Sequence, residues 1–361
     1  RGALIKICIK HLFELRIRVA AAVVITAAAA VVPARLVAQE GIGGSSPAYS
    51  FLDVTGSTRI YGLGGINITV PDPNDLFTVD QNPALLGPEF DRQIGVSYMH
   101  WLGSSNFAGL RYAGAAGERG AWSAALKYFG YGSIKETDVT GNIIGSFSPK
   151  DVAVSGGYTH DLNDCLRGGF AVKVAYSSYA DFSAVAIAAD LGLNYYDADR
   201  DLSLSVVAAN LGGQVKRFND TYDRLPIDIR LGWAKSFGTV PVRFSVTAYD
   251  LTRWKLPYYD NGDGTYDAEP ALKSTFGSNL MRHVIFGADF TPSDNFNLCL
   301  GYNYRTRTDM STYSRSLLSG FSIGASLRVS SFGVGVAVAQ PHRGATTLMV
   351  NFTADLNELI L

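Results

Sequence analysis

The stretch DVAVSGGYTHDLNDCLRGGFAVKVAYS, residues 151–177, contains the pattern that decides the fold. In its first half Val152 and Val154 alternate with small or polar residues, and FAVKVAYS, residues 170–177, repeats the alternation. A period of two predicts strands with one apolar face and one polar or small face. The tight turn LNDC, residues 162–165, separates the two halves. We therefore predict an antiparallel hairpin with long strands.

The same pattern continues along most of the chain. Between Asp91 and Asp355 we count about 14 alternating segments of roughly 10–14 residues, the length that a tilted membrane strand needs. Every second connection is short: GERG (117–120), LNDC (162–165), DADRD (197–201), GTVP (238–241), PSDN (292–295) and SS (330–331). The long connections span 133–147, 211–225, 252–280 and 308–317. Short turns at one rim and long loops at the other predict an all-β, transmembrane antiparallel β-barrel with periplasmic turns and extracellular loops.

The N-terminal segment predicts export. VAAAVVITAAAAVV, residues 19–32, follows several basic residues and is short for a membrane-spanning helix, so we interpret residues 1–38 as a signal peptide that is cleaved before Gln39. An uncleaved membrane anchor is the alternative. We expect a multi-pass protein of the Gram-negative outer membrane. No basic tract follows the signal, which argues against nucleic acid as a partner.

The polar face of the predicted strands points into the barrel lumen. Charges buried there should pair with one another. We predict a structural ion network in the lumen, and ion or solute selectivity along an open pore is the alternative. By alternation the lumen contains Arg111, Lys127, Lys173, Asp190, Asp228, Arg230, Arg243, Asp289, Arg305 and Arg328.

Motifs for catalysis, cofactors or metals are weak. The sequence contains no H-E-x-x-H and no S-x-x-K, so we predict no catalytic residues and no cofactor site. DNGDGTYDAE, residues 260–269, resembles a calcium loop, but Gly262 occupies the third position, where an acid or amide is expected. We interpret it as a turn-rich surface loop and predict no metal site.

Two long loops are rich in aromatic residues. Large exposed aromatic side chains are typical of protein-binding surfaces. We therefore predict a partner-binding surface on these loops, with loop–loop packing that caps the barrel as an equal alternative. The candidate residues are Trp254, Tyr258, Tyr259 and Tyr266, with Phe218 and Tyr222 on the adjacent loop.

Three segments resemble one known family of barrels. YSFLDVTGSTRIYGLGGINITVPDPNDLFTVDQNPALL, residues 49–86, is similar to the start of the PorQ family of the type IX secretion system. The segments 280–307 and 320–352 are similar to the last strands of that family. The NPALL tail is shared more widely, with FadL-like barrels and with PorV.

The resemblance implies a FadL-like barrel of fourteen strands, residues 91–361, with residues 39–90 folded inside it as a hatch. Its hatch motif is carried by Gly62, Gly64, Gly65, Asn82, Pro83, Ala84, Leu85 and Leu86. The glycines do not form a nucleotide loop, because Ile66, Ile68 and Val70 alternate after them and a dinucleotide loop is followed by a helix. We expect them to let the backbone pass close to the wall.

The resemblance also implies a function. Members of the family are non-enzymatic outer-membrane barrels that hold PorZ, beside the sortase PorU and PorV, in a complex that attaches secreted proteins to anionic lipopolysaccharide. The alternative is a FadL-like channel for small hydrophobic molecules. A lipid hydrolase embedded in the barrel is disfavoured, because no Ser–His pair stands out.

Overall fold

The computed structural model describes residues 48–70, 72–218, 222–237, 240–260, 271–309, 318–342 and 345–359. The predicted signal peptide, residues 1–38, and most of the candidate calcium loop therefore lie outside the described residues.

Fourteen strands form a closed antiparallel barrel in which the first strand pairs with the last. The prediction of an all-β antiparallel barrel with about fourteen strands is confirmed. The barrel strands are β1 (Gln93–His100), β2 (Asn106–Ala115), β3 (Gly120–Gly130), β6 (Lys150–Asn163), β7 (Leu166–Tyr179), β8 (Phe182–Asp197), β9 (Leu202–Lys216), β10 (Asp228–Ser236), β11 (Val242–Ala248), β14 (Val284–Ser293), β15 (Phe296–Asn303), β16 (Phe321–Val329), β17 (Phe332–His342) and β18 (Ala345–Asp355).

Shorter elements lie outside the barrel wall. Two separate two-stranded sheets are formed by β4 (Ile134–Thr137) with β5 (Ile143–Phe147), and by β12 (Tyr258–Asp260) with β13 (Ala271–Lys273). The helices are α1 (Thr58–Gly62), α2 (Phe276–Arg282), α3 (Tyr304–Asp309) and α4 (Leu356–Leu359). Short 3₁₀ turns cover Ser50–Asp53, Leu76–Asp80, Pro83–Leu85 and Pro88–Phe90. None of the described helices is long and apolar enough to cross a membrane.

Each of the six predicted tight turns falls between two consecutive barrel strands at one rim, which we call the short-turn rim; residues 238 and 239 of GTVP lie outside the described residues. The opposite, long-loop rim differs from the prediction in detail. The predicted loop 211–225 begins later, because β9 continues to Lys216 and six of its residues extend the wall. The loops 133–147 and 252–280 contain strands of their own, and 252–280 also contains α2.

The two faces of the wall differ in chemistry. In β7 the side chains of Val172, Val174 and Tyr176 are exposed on the outside, whereas Lys173 and Ser177 are buried in the lumen. This division repeats around the barrel and produces an outer surface rich in Val, Leu and Phe. An exterior of this kind matches the hydrocarbon core of a bilayer.

The lumen is filled by the segment between residues 48 and 90. Its helix α1 packs against β15, β16 and β17, and its turn Pro83–Leu85 packs against β6, β7 and β8. The turn Leu76–Asp80 contacts β1 and β2. Since it contacts opposite sides of the wall, this segment crosses the interior of the barrel, and we call it the hatch.

Candidate functional site

The hatch runs from one rim to the other. At the long-loop rim Tyr49 accepts a hydrogen bond on its hydroxyl from Gln214 Nε2 at 3.1 Å, and its ring stacks on Phe218. At the short-turn rim the Asp91 carboxylate, just after the hatch, accepts a hydrogen bond from the backbone amide of Ala115 at 2.8 Å. The described chain therefore threads the lumen along its whole height.

Arg59 of α1 ties the hatch to one side of the wall. Its guanidinium pairs with Asp72 of the hatch at 2.5 Å, and its Nε donates to Asp289 of β14 at 2.9 Å. All three side chains are at least nine-tenths buried. A guanidinium presents several donors in a fixed plane, so it can bridge two carboxylates from different elements.

Asp80 ties the hatch to the other side of the wall. Its carboxylate pairs with Arg111 of β2 and lies 3.4 Å from Nζ of Lys127 on β3. Lys127 also donates to the backbone carbonyl of Val54 at 2.7 Å. One hatch carboxylate thus compensates two buried wall cations.

Arg230 of β10 makes a third connection between wall and hatch. It pairs with Asp53 at 2.6 Å and donates to Gln81 Oε1 at 2.6 Å, both in the hatch. Its Nε pairs with Asp228 of the same strand at 2.7 Å. Next to it Asn210 Nδ2 donates to Asp53 at 2.8 Å.

A fourth buried ion pair joins two strands of the wall and contains no hatch residue. Lys173 of β7 pairs with Asp190 of β8 at 2.6 Å and donates to Asn210 at 2.9 Å. Because Asn210 also contacts Asp53, this pair connects to the hatch through one amide. Burying so many charges adds little net stability, but removing one partner is costly, so the network specifies one position of the hatch.

The Asn-Pro motif of the hatch fits into a hollow of the wall. The Asn82 side chain accepts from the amide of Ala84 at 2.9 Å and donates to the carbonyl of Ile68 at 2.8 Å, so it caps the Pro83–Leu85 turn and ties it to the hatch. On the wall, Gly169 and Gly192 are directly paired across β7 and β8. A Cβ at Gly169 would lie 2.7 Å from the Pro83 carbonyl carbon. The missing side chains make room for the motif.

Hatch glycines play the matching role on the opposite side. A Cβ at Gly62 would lie 2.6 Å from the backbone nitrogen of Gly324 in β16, so α1 approaches the wall at backbone distance. Gly64 has φ +104 and Gly65 has φ +93, in the region where a side chain is strained. The residues predicted as the hatch motif are therefore divided between two wall contacts, one around Gly62 and the other around Asn82–Leu86.

The remaining predicted lumen charges lie near the rims. Arg243 pairs with Asp201 at 2.6 Å, and Arg328 donates to Asn74 of the hatch at 2.6 Å, both toward the short-turn rim. The prediction that Arg305 lies on a strand is wrong. It lies in α3 at the long-loop rim, because β15 ends at Asn303, and it pairs there with Asp250 at 2.7 Å.

Two cavities adjoin the hatch. One of about 20 Å³ lies beside Leu52, Pro83 and Leu86, with Lys127 and Asp190 at its polar side. The other has about 1190 Å³, is open at the short-turn rim, and is lined by hatch residues 72–75 and the turns around Arg243 and Asn295. We call the second one the vestibule, and its lining is mostly polar or charged.

The predicted partner-binding aromatics are not uniformly available. Tyr258 does not have the exposed position that the prediction gave it. It is buried, its hydroxyl lies 2.9 Å from that of Tyr304, and Arg282 covers its ring. Phe218 is half-buried because it stacks on Tyr179 and on the hatch. Trp254 and Tyr222 are exposed. Tyr266 and the side chain of Tyr259 lie outside the described residues.

The sequence reasoning missed an exposed hairpin at the long-loop rim. β4 and β5 pair only with each other among the described residues. Val139 in the turn between them and Ile143 and Ile144 of β5 are exposed. The signal was the group of β-branched residues in DVTGNII, residues 138–144, within a predicted loop. Asp138 orders the tip, because its carboxylate accepts from the amides of Thr140 and Asn142, each at 2.9 Å. The Thr140 hydroxyl also donates to this carboxylate. These hydrogen bonds lower the pKa of Asp138 to about 2, and the one from the Thr140 hydroxyl has the largest effect.

Comparison with solved structures identifies the architecture. The toluene transporter TodX of Pseudomonas putida is 11% identical, with 84% of this chain and 99% of that chain covered and a TM-score of 0.53. The deltaS2S3 mutant of TodX is 12% identical over 84% and 100%, with a TM-score of 0.52. A FadL homologue of Pseudomonas aeruginosa is 13% identical over 83% and 98%, with a TM-score of 0.47. At these identities the likeness establishes the fold alone. The chain has the fourteen-stranded barrel fold of TodX.

No family model matches this chain, and no curated protein matches it either.

Proposed function

We propose that this protein is a non-enzymatic outer-membrane barrel that holds a protein partner at the cell surface. The observation that carries this proposal is that buried contacts fix the hatch inside the lumen. The hatch is tied to β2, β3, β10 and β14 by buried ion pairs, and the cavity beside its Asn-Pro turn has only about 20 Å³. A barrel whose hatch is fixed in this way, with an open vestibule of mostly polar lining only at its short-turn rim, serves as a rigid support for what its loops bind.

The β4–β5 hairpin is the surface that best suits a partner. A two-stranded hairpin is marginally stable by itself in water, and three exposed β-branched side chains at its tip gain free energy when they are covered. Its turn is already ordered by Asp138, which lowers the conformational entropy that binding would cost. Tyr222 is an exposed aromatic residue at the same rim.

The finer assignment is to the cargo attachment complex of the type IX secretion system. The partner is then a PorZ-like surface protein, with the sortase PorU and PorV as further members and anionic lipopolysaccharide as the acceptor. Support comes from the resemblance of residues 49–86 to the PorQ family and from the position of those residues inside the barrel.

Affinity purification from native outer membranes tests the proposal. We expect the wild-type chain to recover a PorZ-like protein. The triple variant Val139→Asp, Ile143→Asp, Ile144→Asp should recover at least about tenfold less of that protein, since each apolar side chain contributes on the order of 1 kcal/mol to binding. Leu162→Asp is the matched control, because Leu162 is equally exposed but lies at the short-turn rim. Recovery without a surface partner, or equal recovery by the triple variant, would contradict the proposal.

A channel for small hydrophobic molecules is the second candidate, and the likeness to TodX, which is described as a toluene transporter, favours it. The vestibule has a mostly polar lining, and the smaller cavity beside the Asn-Pro turn argues against a channel in this conformation. At about 20 Å³ it is far smaller than the ~150 Å³ cavity that accommodates benzene. Uptake of radiolabelled toluene by cells with and without the protein separates the two candidates. Uptake that depends on the protein would reverse our ranking.

A further inference from the structure

The barrel wall is tall in the sector of β6, β7, β8 and β9. These strands have 14, 14, 16 and 15 residues, whereas β1 has 8. A strand rising ~3.3 Å per residue at a tilt of ~40° gains about 2.5 Å of height per residue, so each of the four spans at least about 35 Å, more than the roughly 25 Å apolar band. Their ends therefore reach beyond the band, to the depth of the lipid headgroups.

Tyrosines mark the edge of the apolar band on this side of the barrel. Tyr128 of β3 and Tyr176 of β7 are exposed, and each pairs with Val152 of the strand between them. From Leu166 at the short-turn rim to Tyr176, β7 rises by about 25 Å, which is the height of the band. Tyrosine concentrates at the membrane–water interface. The next outward residues toward the long-loop rim thus lie at headgroup depth.

Two lysines and two serines occupy those next positions. Lys150 of β6 pairs with Ser178 of β7, and Ser178 pairs with Ser183 of β8. Lys216 of β9 joins them, because its Nζ donates to the Ser183 hydroxyl at 2.6 Å. We call these four residues the lysine row. It crosses four neighbouring strands of the wall.

The lysine row lies on the outer face of the wall. Asp151, Ser177 and Ala184 are its chain neighbours on β6, β7 and β8, and all three are buried. Because side-chain direction alternates along a strand, the row residues beside them point outward. Both lysines of the row are exposed.

The lysine row offers positive charge and hydroxyl donors to an anion. Among the residues that the structure describes, neither lysine forms an ion pair with a carboxylate. The Ser183 hydroxyl accepts from Lys216, so its own proton is available to another acceptor. Adjacent strands lie ~4.8 Å apart, so Lys150 is about 10 Å from Ser183 across the wall, and the two flexible lysine side chains can converge on one phosphate between them.

We propose that the lysine row binds the phosphate of an anionic lipid headgroup in the outer leaflet of the membrane. The acyl chains of this lipid lie along the apolar face below the row, on Val152 and Tyr176. Two observations select a lipid as the occupant: the charge of the row, and its continuity with the apolar band. Lysines near a membrane surface attract anionic lipids. The inference needs only the barrel fold and is independent of the proposed function.

Native mass spectrometry of the full-length protein in detergent tests the proposal. The protein is titrated with phosphatidic acid and, separately, with phosphatidylcholine, which has no net charge. We expect phosphatidic acid to bind at least about fivefold more tightly than phosphatidylcholine. The variant Lys150→Gln, Lys216→Gln should bind phosphatidic acid at least about tenfold more weakly than wild type, with its phosphatidylcholine affinity within about twofold. Both substitutions are at exposed sites, and heat-dependent gel mobility checks that the barrel is folded.

The matched control removes the same charge elsewhere on the long-loop side. Lys135 of β4 and Lys273 of β13 are exposed on the two small sheets outside the wall. We expect Lys135→Gln, Lys273→Gln to bind phosphatidic acid within about twofold of wild type. Equal weakening by the two double variants, or no weakening by Lys150→Gln, Lys216→Gln, would overturn the proposal. Displacement of phosphatidic acid by an equal concentration of inorganic phosphate would assign the row to a free anion and overturn the lipid as its occupant.

Discussion

Asp80 connects the hatch to two buried cations of the wall. It is the only carboxylate paired with Arg111 and Lys127 among the described residues, and all three side chains are buried. Asp80→Asn leaves two buried cations without a counter-charge, which typically costs about 3–5 kcal/mol. We expect a loss of that size in the free energy of unfolding, measured by urea titration of the protein in vesicles.

The control for this prediction is Asp164→Asn in the exposed turn before β7. A surface substitution of this type changes stability by about 0.5 kcal/mol or less. If both variants unfold at the same urea concentration, the buried network does not hold the hatch.

Wall glycines provide a second test at the residue scale. Gly169→Ala places a methyl group against the Pro83 carbonyl carbon, so the Asn-Pro turn must move. We expect a destabilisation of about 1–3 kcal/mol, as for other overpacked sites, together with faster proteolysis of the hatch. The matched variant is Gly156→Ala on β6, where the nearest atom is 4.0 Å away. Equal protease resistance of the two variants would show that the turn does not need the space.

Individual contacts were the least predictable feature from sequence. Alternation assigns Lys127, Lys173 and Arg230 to the lumen, because side-chain direction has a period of two, and all three side chains are buried. Their partners were not predictable. Arg59 and Asp289 are 230 residues apart, and only the closed barrel brings them together.

At the scale of elements, the β4–β5 hairpin should respond to acid in a defined way. The folded-state pKa of Asp138 is about 2, below the ordinary aspartate pKa of 3.8, so its hydrogen bonds stabilise the turn fully above about pH 4. This contribution is lost as the pH falls through 2. We expect an NMR titration of the Asp138 carboxyl carbon in detergent micelles to have its midpoint near 2, and a Thr140→Val, Asn142→Ala variant to move it toward 3.8. A wild-type midpoint near 3.8 would mean that the turn is not formed.

Strands and tight turns were predictable because each is encoded locally. A strand needs only its alternation, and turns such as LNDC need only polar residues between two alternating runs. Long loops carry no such constraint. Tyr258 is buried because Arg282 of α2 packs on its ring and its hydroxyl contacts Tyr304. The local sequence does not specify these contacts.

For the whole molecule, the two proposed functions differ in what they require of the hatch. A protein-holding barrel works with the hatch fixed, whereas a channel requires it to move so that a solute can pass. The ion pairs on opposite sides of the lumen favour a fixed hatch. Fold similarity to TodX does not separate the two functions, because one barrel fold supports different activities.

A hatch locked by a disulfide separates these functions directly. The Thr58 hydroxyl of α1 donates to Asn351 Oδ1 of β18 at 3.0 Å, and this contact between hatch and wall is where we place the cysteine pair. The variant Thr58→Cys, Asn351→Cys is made with Cys165→Ser and Cys299→Ser to remove the native thiols. We expect the oxidised protein to recover its surface partner within about twofold of wild type, because docking on the outer hairpin does not require hatch motion. Each single-cysteine variant and the reduced double variant serve as controls. Loss of partner recovery on oxidation that reduction restores would show that partner binding requires hatch motion, and would contradict a fixed hatch.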